Sequence, residues 1–362
     1  MQIIEDRRAL HRIPEPDLRL PKTAAYIRGA LEKLSCRIFS PIEHSVCAFF
    51  DFGAPRTIAF RADMDALHIT EQTGLSFASE HPGYMHACGH DGHMAIGLEL
   101  ARRLDREKDF PNNVLLVFQP SEEVIGGARF LCETGFLEEY GVEAIFALHL
   151  WPGQAPGTLA SREGDMLSRV SELRVEIQGK SSHVAKAQEG IDAMYAGCLF
   201  HTRIWAMEQA LDPSVYRLLK FGKMESGTAH NIVSGCTRLE GSLRTFQDSW
   251  FDRLQQEIAR IAREVEAETG ASIRLDYEEG YPAVINPSPL YQKVRSLVAF
   301  DELAAPSMIS EDFSFYQQRI PGIFFFLGLG DTPALHNSSF NFDETILLKG
   351  ADFFEELAKK YR

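Results

Sequence analysis

The sequence predicts an α/β protein, in which a mostly parallel sheet with flanking helices carries an inserted, smaller α+β domain. Over the first 160 residues, short and nearly continuous apolar runs alternate with helical stretches. This pattern is typical of strands that helices bury on both faces. From residue 168 the chain changes to alternating apolar and polar residues, which is typical of half-buried strands, and after residue 281 the first pattern returns.

Three apolar runs in the first part are predicted to be buried strands: residues 57–63, 113–119 and 144–150. Residues 93–105 lie between the first two runs. They contain no proline and have basic residues in the last turn, so they are predicted to form a helix. Strands that alternate with helices favour a parallel sheet.

The second part predicts two strand–helix units. Its strands are residues 171–179 and 236–246, and its helices are residues 192–209 and 251–270. The second helix places Leu254, Ile258, Ile261 and Val265 on one face. An apolar run at 323–330 and a C-terminal helix at 347–360 then resume the first style. We therefore expect a discontinuous catalytic domain at 1–167 and 282–362, with an inserted satellite domain at 168–281.

Composition narrows the class of protein. Apolar residues make up 45% of the 362 residues and charged residues 24%, as in globular proteins. The net charge of −14 argues against binding to nucleic acid or to an anionic membrane, since both attract clustered Lys and Arg. We see no secretory signal, no apolar run near the ~20 residues of a membrane span, and six dispersed cysteines. These features predict a cytoplasmic protein with reduced thiols.

Polar side chains follow each predicted buried strand. Asp65 comes after the first strand, Glu122 and Glu123 after the second, and His149 ends the third. Ligands of open α/β sheets gather at the carboxyl ends of the strands, so we expect these groups to lie close together.

A dense segment, YMHACGHDGHM at residues 84–94, adds Cys88 and His90 to this edge. On a helix these two side chains would diverge, but in a loop around Gly89 they can converge. Thiolate, imidazole and carboxylate groups are ligands of zinc and related divalent metals. Of the adjacent Glu122 and Glu123, one could bind a metal while the other takes a proton from water.

Each residue alone also has a simpler interpretation. A buried cysteine such as Cys88 is usually packing, a Glu-Glu pair is usually a solvated loop, and a histidine at a strand end is usually just hydrogen-bonded. The residues alone predict a metal site without naming a substrate.

The chain as a whole resembles the di-metal aminoacylase/carboxypeptidase superfamily. The resemblance is to its amidohydrolase branch, which includes hippurate hydrolases, auxin-conjugate hydrolases and N-acetyldiaminopimelate deacetylases. It covers nearly the whole chain and rests on motifs in the same order and spacing: RADMDAL (61–67), EQTGLSFASEHPGYMHACGHDGHM (71–94), FQPSEE..GGA (118–128), LHLWP (148–152), SEDFSFY (310–316) and LHNSSFNFDE (335–344).

The resemblance implies two divalent metal ions per subunit, which could be Zn, Mn, Co or Ni. The implied ligands are Cys88, His90, Glu123, His149 and His336. It further implies that Glu122 is the general base and that Asp65 is a supporting aspartate beside the site. The implied reaction is hydrolysis of the amide between an acyl group and an amino acid. The satellite domain often serves dimerisation in this superfamily, so a homodimer is expected.

Three residues of the satellite domain match substrate-binding motifs. His183 in GKSSHVA corresponds to a histidine that polarises the substrate carbonyl, frequently across the dimer. Asn231 in AHNIVSG and Arg244 in SLRTF correspond to residues that hold the substrate carboxylate. Ser181 and Ser182 stand where the family usually has glycines, which leaves the local loop shape and the substrate choice open.

Within the branch, the chain looks most like the N-acetyldiaminopimelate deacetylases of lysine biosynthesis. A broad N-acyl amino acid amidohydrolase, of aminoacylase or hippurate hydrolase type, is the main alternative. Two alternatives come from other classes: a non-catalytic binding protein that kept the fold, and a thiol enzyme with Cys88 as nucleophile.

Overall fold

The computed structural model describes all residues, 1–362, and divides into two compact units. The first unit comprises Met1–Met166, Val284–Pro306 and Glu311–Arg362. The second comprises Leu167–Ala283 and Ser307–Ser310. The short segment 307–310 joins the second unit because Ser168 Oγ donates to Met308 O at 2.8 Å.

The first unit contains an eight-stranded sheet in the order β1-β2-β4-β3-β5-β14-β6-β13. Its strands are β1 (Arg37–Phe39), β2 (Val46–Phe50), β3 (Thr57–Asp63), β4 (Asn113–Gln119), β5 (Val142–Pro152), β6 (Leu159–Ser161), β13 (Asp301–Glu302) and β14 (Gly322–Gly330). The four central strands, β4, β3, β5 and β14, run parallel to one another. They are almost wholly buried, as the continuous apolar runs predict.

The helices flank this sheet. They are α1 (Gln2–His11), α2 (Pro21–Leu31), α3 (His90–Arg106), α4 (Gly127–Glu133), α5 (Phe136–Glu139), α8 (Ser288–Leu297), α9 (Ser314–Gln317) and α10 (Leu347–Lys360). Helix α3 packs on β3 and is itself contacted by α1, α2 and α10. A further pair of strands, β7 (Gly164–Leu167) and β12 (Val284–Asn286), forms a small separate sheet. The predicted α/β class, with a mostly parallel sheet between helices, is confirmed.

The second unit is a four-stranded antiparallel sheet in the order β11-β8-β10-β9, with two helices. Its elements are β8 (Arg169–Gln178), α6 (Ala193–Ala210), β9 (Leu218–Ser226), β10 (Cys236–Thr245), α7 (Asp248–Thr269) and β11 (Ser272–Glu279). Both helices contact β10, and the apolar face of α7 is buried with the inner face of β8. The sequence predicted β8, β10 and both helices, but β9 and β11 were not predicted.

None of the helices combines the length and the apolar character that a membrane span requires. The parallel arrangement of β4, β3 and β5 matters most for function, because it brings their carboxyl ends to one edge of the sheet.

Candidate metal centre

Three neighbouring strands deliver polar side chains to this edge. Asp65 lies two residues beyond the end of β3, and Glu122 and Glu123 lie in the turn that follows β4. His149 lies near the end of β5. All four residues are in the first unit, and all but Glu123 are buried.

Cys88 and His90 reach the same place through a tight bend before α3. Gly89 between them has φ of 92°, a left-handed conformation that favours glycine. A Cβ atom at this position would also lie 3.2 Å from Leu150 Cδ1. The sequence placed both ligand candidates in a loop, whereas the structure places His90 at the first position of α3. The helix starts just late enough for the two side chains to converge.

Two donor groups share the Cys88 thiol. One group is Cys88, His90 and His149, and the other is Cys88, Glu123 and His336, with the ligand atoms of each within 4.8 Å of one another. The Cys88 Sγ atom lies 3.4 Å from His149 Nε2, and His336 Nε2 lies 3.3 Å from Glu123 Oε1. Cys88, His90, His149, Glu123 and His336 would hold two divalent metal ions, since thiolate, imidazole and carboxylate are their usual ligands.

The tautomers of His90 and His149 suit metal binding. His90 Nδ1 donates to the main-chain oxygen of Asp65, and His149 Nδ1 donates to that of Leu150, both at 2.8 Å. Each ring therefore turns an unprotonated Nε2 atom toward the cluster. The Nε2 atom of His90 and the Oε1 atom of Glu123 are buried without a hydrogen-bond partner. Such orphaned atoms are rare in proteins, and a metal ion would satisfy both.

Two other histidines of the dense segment are not arranged as ligands. His93 Nδ1 pairs with Asp63, and its Nε2 accepts from the Leu150 N–H at 2.9 Å, so both ring nitrogens are already used. His86 is in none of the groups of converging donor atoms, and burial lowers its pKa to about 3, so its ring is neutral.

Asp65 forms hydrogen bonds to two segments that carry proposed ligands. Its carboxylate accepts from the main-chain N–H groups of Glu122, at 2.8 Å, and Glu123, at 3.0 Å. Its main-chain oxygen accepts from His90. One residue thus contacts both the turn after β4 and the first residue of α3.

Two non-glycine residues at the centre have left-handed backbones. Ser121, just before the glutamates, has φ of 59°, and His336 has φ of 63°. The Ser121 turn is closed by a 2.8 Å bond from Gly127 N to Ser121 O, and His336 N donates to Ala87 O at 2.8 Å. Strained backbones of this kind persist where the surroundings fix them, often at functional sites.

The cluster is strongly acidic. Burial, together with Glu311 and Glu123, raises the pKa of Glu122. Burial, then Glu123 and Glu122, raises the pKa of Cys88, so its thiolate form needs a neighbouring cation. For Glu123, burial opposes ionisation, but the close contact with His336 and the charge of His90 outweigh it and lower the pKa.

Sequence reasoning missed a group of buried charged residues around Arg61. The buried Arg61 guanidinium contacts Asp63 at 2.6 Å, Glu311 at 2.9 Å and Asp312 at 2.7 Å. The carboxylates of Glu311 and Asp312 lie within 4.8 Å of that of Glu122. A readable signal did exist, since RADMDAL puts two charged residues into a predicted fully buried strand.

The predicted substrate residues lie in the second unit. His183 is exposed, and its Nδ1 accepts from the Ala185 N–H at 3.1 Å. The proton of the neutral ring is therefore on Nε2, which can donate outward. Asn231 is its neighbour, because Val184 N donates to Asn231 O at 3.1 Å.

Arg244 is half-buried and has no carboxylate within ion-pair distance. It donates from Nη1 to Met308 O at 2.6 Å and from Nε to Ser242 Oγ at 3.3 Å. Burial lowers the pKa of Arg244. Arg244 lies at one end of β10 and Asn231 lies before the other end, which begins at Cys236. Eight residues of strand separate Cys236 from Arg244, a span of ~27 Å.

Comparisons with known proteins agree with this geometry. The model of peptidase family M20/M25/M40 matches residues 59–360. An uncharacterized hydrolase of Staphylococcus saprophyticus is 33% identical over 373 residues, which cover 99% of this chain and 97% of that protein. A second uncharacterized hydrolase, from Staphylococcus epidermidis, is also 33% identical and covers 98% of this chain and 97% of its own length.

Solved structures give the same result. A protein of methicillin-resistant Staphylococcus aureus, provisionally assigned as an aminohydrolase, has a TM-score of 0.93 at 32% identity, covering 98% of this chain and 95% of its own. The Bacillus subtilis YXEP protein, a dinuclear metal-binding peptidase of the M20 family, has a TM-score of 0.85 at 30% identity, covering 99% and 96%. The predicted superfamily is confirmed: this chain belongs to peptidase family M20/M25/M40 and is a metal-dependent hydrolase.

Proposed function

We propose that this hydrolase cleaves the amide bond of N-acyl amino acids. The observation that carries the proposal is the Cys88 thiol shared by two donor groups, with the buried Glu122 carboxyl beside them. Five residues would hold the two ions. They are Cys88, then His90 and His149 of the first donor group, and Glu123 and His336 of the second. When bound, the ions polarise the substrate carbonyl and make water more acidic.

Glu122 is the proposed general base. Its carboxylate lies within 4.8 Å of the ligand atoms of His90 and Glu123, two of the proposed ligands. Burial, together with Glu311 and Glu123, raises the pKa of Glu122, which makes its carboxylate a stronger base. It takes a proton from the attacking water and passes that proton to the amine as the amide C–N bond breaks.

The second unit supplies the proposed substrate contacts. His183 donates from Nε2 to the carbonyl oxygen, where negative charge develops. Arg244, which has no carboxylate of its own, binds the substrate carboxylate together with Asn231.

The length of β10 supports a homodimer. Asn231 and Arg244 lie beyond reach of one small molecule within a single copy, so we propose that each substrate uses Arg244 of one copy and His183 and Asn231 of the other. Exposed apolar side chains on α6, among them Tyr195 and Trp205, and the free edge of β9 support an interface on the second unit. An active monomer in light scattering would refute it.

N-acetyl-diaminopimelate is our first candidate substrate, on the strength of the motifs at 71–81, 170–177, 327–330 and 335–344. This would place the enzyme in lysine biosynthesis. All six cysteines are free thiols, which supports a location in the reducing cytoplasm. The same raised pKa of Cys88 disfavours a thiol enzyme, because a nucleophilic cysteine needs a lowered pKa.

One observation favours the broader alternative, an amidohydrolase of varied N-acyl amino acids. Val124 and Ile125, which directly follow Glu123, are 55% and 46% exposed, and Phe130 on the next helix is 38% exposed. Val124 and Ile125 are also the two positions that the motif FQPSEE..GGA leaves free. Exposed apolar residues beside a catalytic centre would suit an apolar acyl group larger than acetyl.

A substrate panel tests the proposal. Metal-loaded enzyme would be assayed for amine release from N-acetyl-diaminopimelate, several N-acetyl amino acids and benzoyl-glycine, with chelator-treated enzyme and a Glu122→Ala variant as controls. Chelator-sensitive turnover of the diaminopimelate derivative alone supports the first candidate, and turnover across the panel supports the alternative. No turnover by protein that binds two metal ions would contradict both and favour a non-catalytic binding protein.

A further inference from the structure

Helix α1 places two buried basic residues against the start of α3. Arg7 Nε lies 2.8 Å from Asp91 Oδ2, with both side chains fully buried. His11 Nδ1 lies 2.7 Å from the same oxygen, and its ring is also fully buried. Asp91 is the residue next to His90. Two side chains from the first helix thus hold the carboxylate that adjoins a proposed ligand.

Arg7 also reaches the segment that carries His336. Its Nη1 atom lies 3.2 Å from Glu344 Oε1, and Arg8 holds the same carboxylate with contacts of 2.9 Å and 2.6 Å. The Arg7 guanidinium lies over the rings of Phe77, at 4.9 Å, and Phe342, at 4.7 Å. The Arg7 guanidinium therefore has an aromatic ring on each face and carboxylates at its edge.

His90 and His336 belong to different donor groups of the centre. Asp91 follows the first directly, and Glu344 lies eight residues beyond the second, on a stretch also tied down by a 2.8 Å bond from Gln72 N to Ser338 O. Arg7 is the one side chain that contacts both Asp91 and Glu344.

We propose that Arg7 is a positioning residue of the dinuclear centre, which sets the spacing between His90 and His336. A buried arginine between two carboxylates is weak support for stability alone, because desolvation opposes the attraction. Groups that orient metal ligands, by contrast, commonly change metal affinity by about 10–100-fold when they are removed. The inference rests on the proposed metal site and makes no use of the substrate.

The test compares Arg7→Met with a matched control at Arg103, at the end of α3 remote from His90. Methionine keeps most of the apolar volume between Phe77 and Phe342. Arg103, in the last turn of α3, is also nearly buried and contacts three carboxylates, Glu99 at 3.0 Å, Asp352 at 2.7 Å and Glu355 at 2.8 Å. Arg103→Met therefore removes a similar ion-pair group far along α3 from His90. Affinity for Zn²⁺ would be measured on metal-free protein by competition with a coloured chelator, alongside urea unfolding.

We expect Arg7→Met to weaken binding of at least one Zn²⁺ ion by about 10–100-fold, while Arg103→Met leaves both affinities unchanged even though both variants lose stability. Arg7→Lys, which keeps the charge but cannot hold two carboxylates in a fixed fork, should fall between wild type and Arg7→Met. It also serves as the test variant if Arg7→Met does not fold.

Unchanged Zn²⁺ affinities in the Arg7 variants, with two ions bound by wild type, would overturn the positioning role and leave the proposed function intact. A wild-type protein that binds two ions but hydrolyses nothing would sink the proposed function instead. Fewer than two ions bound by wild type would refute both.

Discussion

At the scale of single residues, Glu122 carries the sharpest prediction. Glutamine at this position keeps the size and the main-chain bond to Asp65 but cannot take up a proton. We expect Glu122→Gln to lower kcat by about 10²–10⁴-fold, with both metal affinities retained. Steady-state kinetics and metal titration on the same preparation would check this. A loss below tenfold would mean that another group is the base, and Glu311, a buried carboxyl group within 4.8 Å of that of Glu122, would be the next to examine.

Glu71 predicts a pH dependence of stability. Burial alone would raise the pKa of Glu71, but bonds from His11, Thr73 and the Ser79 N–H outweigh it and lower the pKa from 4.5 to about 2. A carboxyl group with a lowered folded-state pKa stabilises the fold above its unfolded pKa, and this contribution is lost as the pH falls toward the folded pKa. The stabilising effect is therefore complete above pH 4.5 and declines toward pH 2.

We expect Glu71→Gln to be less stable than wild type by about 1 kcal/mol at neutral pH, the scale of one lost hydrogen bond. The difference should shrink as the pH falls below 4.5. Urea unfolding of both proteins from pH 7 downward measures it. A stability difference that stays constant with pH would show that Glu71 is not ionised differently in the two states.

At the scale of elements, the shape of the turn between β4 and α4 depends on one carboxylate, that of Asp65, which lies two residues beyond the end of β3. Asp65 accepts two main-chain N–H groups of this turn, and asparagine can accept with only one side-chain oxygen. We expect Asp65→Asn to release one N–H, to lower the affinity for the metal ion at Glu123 by about tenfold or more, and to lower kcat. Equal metal affinity in the variant would mean that the backbone turn holds its shape without this carboxylate.

The elements show what the sequence could predict. Continuous apolar runs located β3, β4, β5 and β14, because strands buried on both faces carry this pattern without interruption. Strand β11 was missed although Ile273, Leu275 and Tyr277 alternate along it. Strand β9 could not be predicted from pattern, because it is an edge strand with mostly exposed or half-exposed residues and Gly222 in its middle.

The metal centre likewise combines residues that the local sequence pattern indicated with contacts that it could not indicate. Cys88, His90, Glu123 and His149 follow or end buried strands or flank Gly89, so the local pattern pointed to them. His336 was expected only from the family resemblance. The ion pairs of Arg61 with Glu311 and Asp312 join residues 250 and 251 positions apart in sequence. Arg7 and Glu344 are 337 positions apart. No periodicity in one sequence reports such contacts, because they depend on how distant segments pack.

At the scale of the whole molecule, β10 acts as a spacer in the second unit. It is an unbroken strand paired along its length with β8 and β9 on either side, so its ends cannot approach each other. His183 and Asn231 belong to one end and Arg244 to the other. A substrate that needs all three residues requires two copies of the chain.

This arrangement predicts complementation between two inactive variants. His183→Ala and Arg244→Ala should each lower kcat/KM by about 100-fold or more, since each removes a charge-assisted or transition-state contact. A heterodimer of the two, isolated through different affinity tags, would hold one site with both defects and one intact site. Its activity should be about half that of wild type, because in a two-fold dimer each site takes one set of residues from each copy. A heterodimer as inactive as its parents would show instead that His183 and Arg244 act within the same copy, and the proposed exchange across the dimer would be wrong.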